Sequence, residues 1–207
     1  NHLMQTIEFG RYYHIYNRGI NSCNLFKENS NYEHFLHLYE KYITPIADTF
    51  AYCLMSNHFH FLVRIKDDNE IKLEELPNPV KILNPDNVNK KLQKPHIYFS
   101  HLFNSYTQAF NKKFNRTGAL FERPFKRILV ENETYLKYLV YYIHHNPVKH
   151  GFVDDMIEYP WSSYKSISSS KKTKLKREEV IEWFNDLGNY IHFHSTEQNI
   201  DRIKHLI

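Results

Sequence analysis

The sequence predicts an α+β fold, a ferredoxin-like sandwich in which one antiparallel sheet carries packed helices. Three observations predict it. The signals run in the order strand, helix, two strands, helix, strand, helix. The strand segments are rich in aromatic and β-branched residues and end at turn residues. The helical segments repeat apolar residues three and four apart.

Tyr12 to Asn17 is a β-prone run that stops at the turn signal Arg18-Gly19. Ser30-x-x-Glu33 has the form of a capping box, and Tyr32, Phe35, Leu36, Tyr39, Tyr42 and Ile43 follow at helical spacing, predicting a helix over about 31–44. Thr49 to Met55 and His58 to Ile65 read as two strands joined at Ser56-Asn57. From about 66 to 97 the chain becomes a polar excursion with Pro77, Pro79, Pro85 and Pro95 scattered through it. Phe99, Leu102, Phe103, Tyr106, Phe110 and Phe114 restore the helical period, and Arg116-Thr117-Gly118 closes it. Phe125 to Val130 is the fourth strand. Asn132 caps a helix from about Glu133 to His145, with Pro147 as its stop. Residues 1–167 therefore read as one domain. Residues 168–207 read as a Ser/Lys linker followed by a short helical extension around Val180, Ile181, Trp183 and Phe184.

The chain has 207 residues, 42% hydrophobic and 24% charged, which is globular composition rather than disordered. Lys and Arg number 27 against 23 Asp and Glu, a formal charge of +4 that permits a polyanionic partner without requiring one. The two cysteines, Cys23 and Cys53, form neither a disulfide framework nor a zinc ribbon, and a reduced, cytoplasmic setting is expected. No apolar run approaches the roughly 20 residues of a membrane helix, so no membrane partner is expected.

Three constellations carry chemistry. On the strand His58-Phe59-His60-Phe61, successive side chains alternate between faces, so His58, His60, Leu62 and Arg64 share one and Phe59, Phe61, Val63 and Ile65 the other. The second set is a core face. The two imidazoles project together from the opposite one, about 7 Å apart along the strand, a spacing suited to one divalent ion or to two hydrogen-bonded histidines. On the helix over about 133–146, Leu136, Leu139, Val140 and Ile143 form the core stripe, while Tyr135, Tyr138, Tyr142 and Asn146 form another. A tyrosine hydroxyl beside a metal-binding carboxamide suits phosphoryl transfer to a protein nucleophile. Spacing alone does not separate Tyr142 from Tyr138 or Tyr135, and an aromatic stripe also serves packing. Third, Lys112, Lys113, Arg116, Arg123, Lys126 and Arg127 interleave with Phe114, Phe121 and Phe125, as phosphate contacts and base-stacking faces do in single-strand binding and as solvated helix ends also do.

The blocks Tyr13-His14-Ile15-Tyr16-Asn17-Arg18-Gly19, Ala51-Tyr52-Cys53-Leu54-Met55-Ser56-Asn57-His58-Phe59-His60-Phe61-Leu62-Val63, Arg116 to Lys126, Tyr142 to Gly151 and Trp161-Ser162-Ser163-Tyr164 together resemble the single-tyrosine HUH transposases, and among them the REP-associated tyrosine transposases. The resemblance spans roughly residues 10–167 in separated blocks. It departs from the pattern at Ser56 and at Glu122-Arg123-Pro124. It implies cutting and rejoining of single-stranded DNA near hairpins, with His58, His60 and Asn146 holding Mg²⁺ or Mn²⁺. Tyr142 is then the nucleophile, forming a 5′-phosphotyrosine. Lys112, Lys113, Arg116, Arg123, Lys126 and Arg127 are the DNA-binding candidates, and both monomer and homodimer are compatible with it. A hairpin-binding protein with little cleavage is the alternative of another class. An unrelated metal enzyme would need an Asp or Glu ligand, and no acidic residue shares the strand face of His58 and His60.

Overall fold

The computed structural model describes residues 6–77 and 92–207. Four strands, β1 (Tyr12–Arg18), β2 (Ala47–Met55), β3 (His58–Ile65) and β4 (Lys126–Leu129), form one antiparallel sheet in the order β2-β3-β1-β4. Helix α1 (Asn29–Tyr42) joins β1 to β2, and α2 (Pro95–Lys113) lies between β3 and β4. This is the ferredoxin-like β-α-β-β-α-β arrangement that the order of sequence signals predicts. Helix α3 (Leu136–Lys149) follows β4, and α4 (Tyr164–Ser168), α5 (Arg177–Trp183) and α6 (Leu187–Ser195) complete the chain with a terminal 3-10 segment, Ile200–Leu206.

Strand parity sorts the side chains into two cores. Tyr13 and Ile15 of β1 and Phe59, Phe61, Val63 and Ile65 of β3 pack against Phe35 and Tyr39 of α1 and Phe99, Leu102 and Phe103 of α2. On the other face, Leu62 of β3 and Ala51, Cys53 and Met55 of β2 meet Leu136, Leu139, Val140 and Ile143 of α3. Burying each large apolar side chain contributes about 1.5–3 kcal/mol, so the two cores fix α1 and α2 to one face and α3 to the other. A bulge between Thr49 and Ala51 shifts the β2–β3 register, and Phe50 joins Ala51 in the α3-side core.

Beyond the Ser/Lys run, Val180, Phe184, Tyr190, Ile203 and Leu206 are buried in that same second core with α3. A buried polar chain ties α3 to α6. Ser163 Oγ accepts from Tyr52 N–H (2.8 Å) and lies 2.7 Å from His144 Nε2. His144 Nδ1 lies 3.1 Å from His194 Nε2, and His194 Nδ1–H donates to the Tyr190 carbonyl (2.8 Å).

Three local expectations are corrected. The capping box of α1 is formed by Glu28 and Asn31, not by Ser30 and Glu33: the Asn31 side chain takes the backbone N–H of Glu28 and of Lys27, and Ser30 Oγ donates to Glu28. Asn132 caps through Thr134 N–H (2.9 Å), yet what it caps is a 3-10 turn, Glu133–Tyr135, that precedes α3. Pro147 does not stop α3. A proline lacks the N–H that would bond the carbonyl four residues back, here that of Ile143, so α3 gives up one internal bond in its last turn and still runs on. The helix continues to Lys149 and ends where Gly151 takes φ +70, with Phe152 N–H bonded to the Pro147 carbonyl. Within the excursion, short 3-10 turns cover Asp68–Glu70 and Leu73–Glu75, and α2 begins at Pro95; Pro79 and Pro85 lie outside the described residues.

Candidate active site

Residues directly opposite one another across antiparallel strands share a face. The β1–β3 register pairs Arg18 with His58, Tyr16 with His60 and His14 with Leu62, while β4 sets Lys126 beside Tyr16. His58 and His60 therefore face α3, with their ring centroids 5.3 Å apart and nearly perpendicular. The row His60, Tyr16, Lys126 runs on that face from the centre of the sheet to its β4 edge. Arg64, also on the face, lies at the far end of β3, bound to Asp48 (2.8 Å) and Glu70 (2.9 Å).

Helix α3 brings a tyrosine to the imidazoles. The Tyr142 ring lies edge-on 5.5 Å from His60 and 6.2 Å from His14. The other tyrosines of the stripe point to the C-terminal segment instead: the Tyr138 hydroxyl accepts from Arg202 (3.2 Å) beside the Phe193 ring, and Tyr135 packs on His205. One turn beyond Tyr142, Asn146 is buried and donates its Nδ2 to the Tyr142 carbonyl (2.8 Å). Its Oδ1 is buried and, among the described residues, has no hydrogen-bond partner. A buried, unpaired carbonyl oxygen costs about 1–3 kcal/mol, which leaves this oxygen open to a partner.

The imidazoles are held neutral. Burial holds His58 down to about 4, with His150 and Arg18 pushing the same way. Burial, then His14, drives His60 well below its ordinary value, and burial lowers His14 to about 4. His58 Nδ1 is 2.6 Å from the Asn57 side-chain oxygen and so donates to it, leaving Nε2 as its lone-pair nitrogen. Burial raises Tyr142 above the usual phenol value, so it carries its proton at neutral pH. Among the described residues no group of three His, Cys, Asp or Glu is arranged to hold a metal. Two neutral imidazoles and the Asn146 oxygen could hold one divalent cation, with the amide supplying the oxygen donor.

Sequence reasoning missed four candidates. Lys149 lies with its Nζ 5.4 Å from the Tyr142 ring centre, and the His150 ring is 5.1 Å from that of His58. Arg18 lies opposite His58, and His14 beside His60. Spacing held part of the signal: Tyr142, Asn146 and Lys149 fall at i, i+4 and i+7, and His14, Tyr16 and Arg18 share one parity on β1.

The basic candidates divide. Lys113 is bound to Glu28 and Ser30, and Arg116 braces its own turn through Asn111 (2.6 Å) and the Ala119 carbonyl (3.0 Å). Lys112, Arg123 and Lys126 are exposed. Arg123 and Arg127 line a cleft of about 380 Å³ whose walls include Phe103, Phe121, Phe125 and Asn17. The loop forming its rim is tied to β1: Glu122 N–H bonds the Arg18 carbonyl (2.9 Å), and Asn17 Nδ2 bonds the Glu122 carbonyl (3.2 Å). Among the described residues no helix is long and apolar enough to cross a membrane.

No family model matches the chain. A curated Haemophilus influenzae protein named as a REP-associated tyrosine transposase is 26% identical over 120 residues, 56% of this chain. The chain spans 58% of the length of that relative. A solved structure of a REP-associated tyrosine transposase bound to a REP hairpin superposes with a TM-score of 0.57 at 15% identity, covering 80% of this chain and 83% of that one, and shares its fold. In sequence and in fold, the chain resembles the REP-associated tyrosine transposases.

Proposed function

We propose that the chain is a transposase-like, single-stranded DNA endonuclease and strand transferase that cuts and rejoins DNA beside hairpins through a 5′-phosphotyrosine. The observation that carries this reading is the juxtaposition across the sheet–α3 interface: His58 and His60 side by side at 5.3 Å, and Tyr142 at 5.5 Å from His60 with the orphaned Asn146 oxygen one turn on. The curated relative supports the substrate class.

In this reading His58, His60 and Asn146 would hold Mg²⁺ or Mn²⁺, which would supply charge neutralisation at the non-bridging oxygens of the scissile phosphate. Tyr142 Oη attacks phosphorus. The bond from phosphorus to the 3′ oxygen breaks, and that oxygen takes up a proton to balance the one the phenol gives up. The products are a 5′-phosphotyrosine and a free 3′-hydroxyl. Attack by a second 3′-hydroxyl on the same phosphorus reverses the step, releases Tyr142 and joins strands. One phosphodiester is exchanged for another, so no nucleotide triphosphate is consumed. Lys149, its ammonium 5.4 Å from the Tyr142 ring centre, favours the phenolate as it forms, and Arg18 beside His58 favours the approaching phosphate. Lys126 and Lys112 hold the backbone, and the cleft lined by Arg123, Arg127 and three phenylalanines receives an unpaired base.

The test uses end-labelled hairpin oligonucleotides with single-stranded flanks, incubated with the full chain and Mn²⁺ or Mg²⁺. A label on the 5′-phosphate side of the cut is expected to become covalently attached to protein, and only with metal. Tight hairpin binding without attachment would replace this reading by that of a DNA-binding protein.

A further inference from the structure

A third histidine lies behind the two candidate ligands. His14 is fully buried on β1, two residues before Tyr16, and its Nε2 is 2.9 Å from His60 Nδ1. Its other nitrogen, Nδ1, contacts the backbone carbonyl of Leu206 at the end of the chain's last 3-10 segment. The His14 and His60 ring centroids are 5.1 Å apart with planes within 20°. That separation is about the 2.9 Å contact plus two ring radii, so the rings meet edge to edge in one plane. This is the geometry of an in-plane hydrogen bond rather than of a stack.

The direction of each proton follows from one fixed point. A backbone carbonyl only accepts, so His14 Nδ1 carries the hydrogen. A neutral imidazole has one N–H, which leaves His14 Nε2 as a lone pair. His60 Nδ1 must then donate to it, and the bare nitrogen of His60 is Nε2. The relay runs Leu206 carbonyl, His14, His60. It selects for both rings the Nδ1–H tautomer, the less favoured one for imidazole in water. Among the described residues, His14 Nε2 is the one hydrogen-bond acceptor at His60 Nδ1.

We propose that His14 is a positioning residue: fixed by the Leu206 carbonyl, it holds His60 in the tautomer and ring orientation that presents Nε2 to the divalent cation. Ligating histidines commonly donate their second N–H to a carbonyl or carboxylate. Here a second imidazole occupies that place and passes the demand on to the end of the chain. Ile203 and Leu206 are buried in the α3-side core, so docking of the last segment sets the acceptor that the relay begins from. The row of strands and the final turn are thereby coupled to one candidate ligand.

The inference rests on the metal reading of His60, and the experiment separates the two. In the metal-free natural chain, ¹⁵N–¹H spectra of the histidine rings are expected to show His60 and His14 protonated at Nδ1 and bare at Nε2. A His60 ring protonated at Nε2 overturns the proposal without recourse to any variant. Mn²⁺ affinity, measured by calorimetry, is expected to fall about ten- to hundred-fold in His14→Phe, whose folding is checked by its thermal transition. His14→Gln keeps an acceptor for His60 Nδ1–H and is expected to recover most of that loss. If His60→Ala binds Mn²⁺ as tightly as the natural chain, the metal reading fails and this proposal with it. If His60→Ala loses Mn²⁺ while His14→Phe keeps it, the positioning role alone falls.

Discussion

Lowering the pH from about 7.5 to about 5 protonates every histidine that unfolding exposes, but His194 resists while the chain is folded. Its Nδ1–H is bound to the Tyr190 carbonyl, its Nε2 accepts from His144, and Tyr141, Tyr164 and Tyr190 enclose it. Burial lowers it from 6.5 to about 4, with His145 adding to the effect and the Tyr190 carbonyl opposing it. The folded-state value is depressed, so the unfolded chain binds the proton first. Stability is complete above 6.5 and is lost as the pH falls through the window down to about 4. One group with that pair of values removes about 2 kcal/mol by pH 5 and about 3 kcal/mol below pH 4, out of a typical 5–15 kcal/mol for a domain. The assay is urea unfolding at a series of pH values, for the natural chain and for His194→Gln, whose side chain still accepts from His144 but does not titrate. The difference between the two curves isolates His194 from the other histidines. A stability difference between pH 7.5 and pH 5 that is the same in both proteins would refute the assignment of His194 as a buried neutral link between α3 and α6.

Further outcomes follow from the site and its supports. His58→Ala and His60→Ala are each expected to lower metal-dependent cleavage more than about hundred-fold, as removing a ligand gives up several kcal/mol of transition-state stabilisation, measured as the initial rate of strand cutting. Lys126→Ala is expected to weaken hairpin binding equally across sequences and to reduce the slope of log affinity against log salt by about 1, read from titrations at several salt concentrations. Gly19→Ala would place its Cβ 2.0 Å from the Cys23 carbonyl oxygen, in a turn already pinned by Gly19 N–H to the Asn57 carbonyl (2.8 Å). It is expected to lower stability by about 1–3 kcal/mol in denaturant unfolding.

Much of this arrangement is legible wherever a local period decides it. Strand parity separates His58 and His60 from Phe59 and Phe61, and the structure sends the first pair to α3 and the second into the core with α1 and α2. The apolar stripe of α3 holds residue for residue. What the sequence hides is non-local. The parity that sets His14 and Arg18 on the site's face is visible in β1, but the register that brings them to His60 and His58 is not. The stripe of tyrosines is equally ambiguous until the C-terminal segment takes up Tyr135 and Tyr138 and leaves Tyr142 against the imidazoles. The Ser/Lys run is polar enough to read as a linker, whereas the apolar residues that fill the second core after it are too sparse to show a strong period. Two local signals also mislead. A better-placed Glu28–Asn31 pair outcompetes the Ser30–Glu33 box, and the positive-φ Gly151, not Pro147, ends α3 and so carries Lys149 and His150 to the site.

The central claim is that one oxygen, Tyr142 Oη, takes the phosphate. The measurement that tests it most directly is mass spectrometry of the peptide left joined to DNA after the natural chain meets a hairpin oligonucleotide and Mn²⁺, alongside Tyr142→Phe. A nucleotide phosphate is expected on Tyr142, with no adduct in Tyr142→Phe and hairpin affinity within about two-fold of the natural chain in that variant, since a single hydroxyl is removed. An adduct that persists in Tyr142→Phe, or that maps to Tyr138 or another residue, would contradict it.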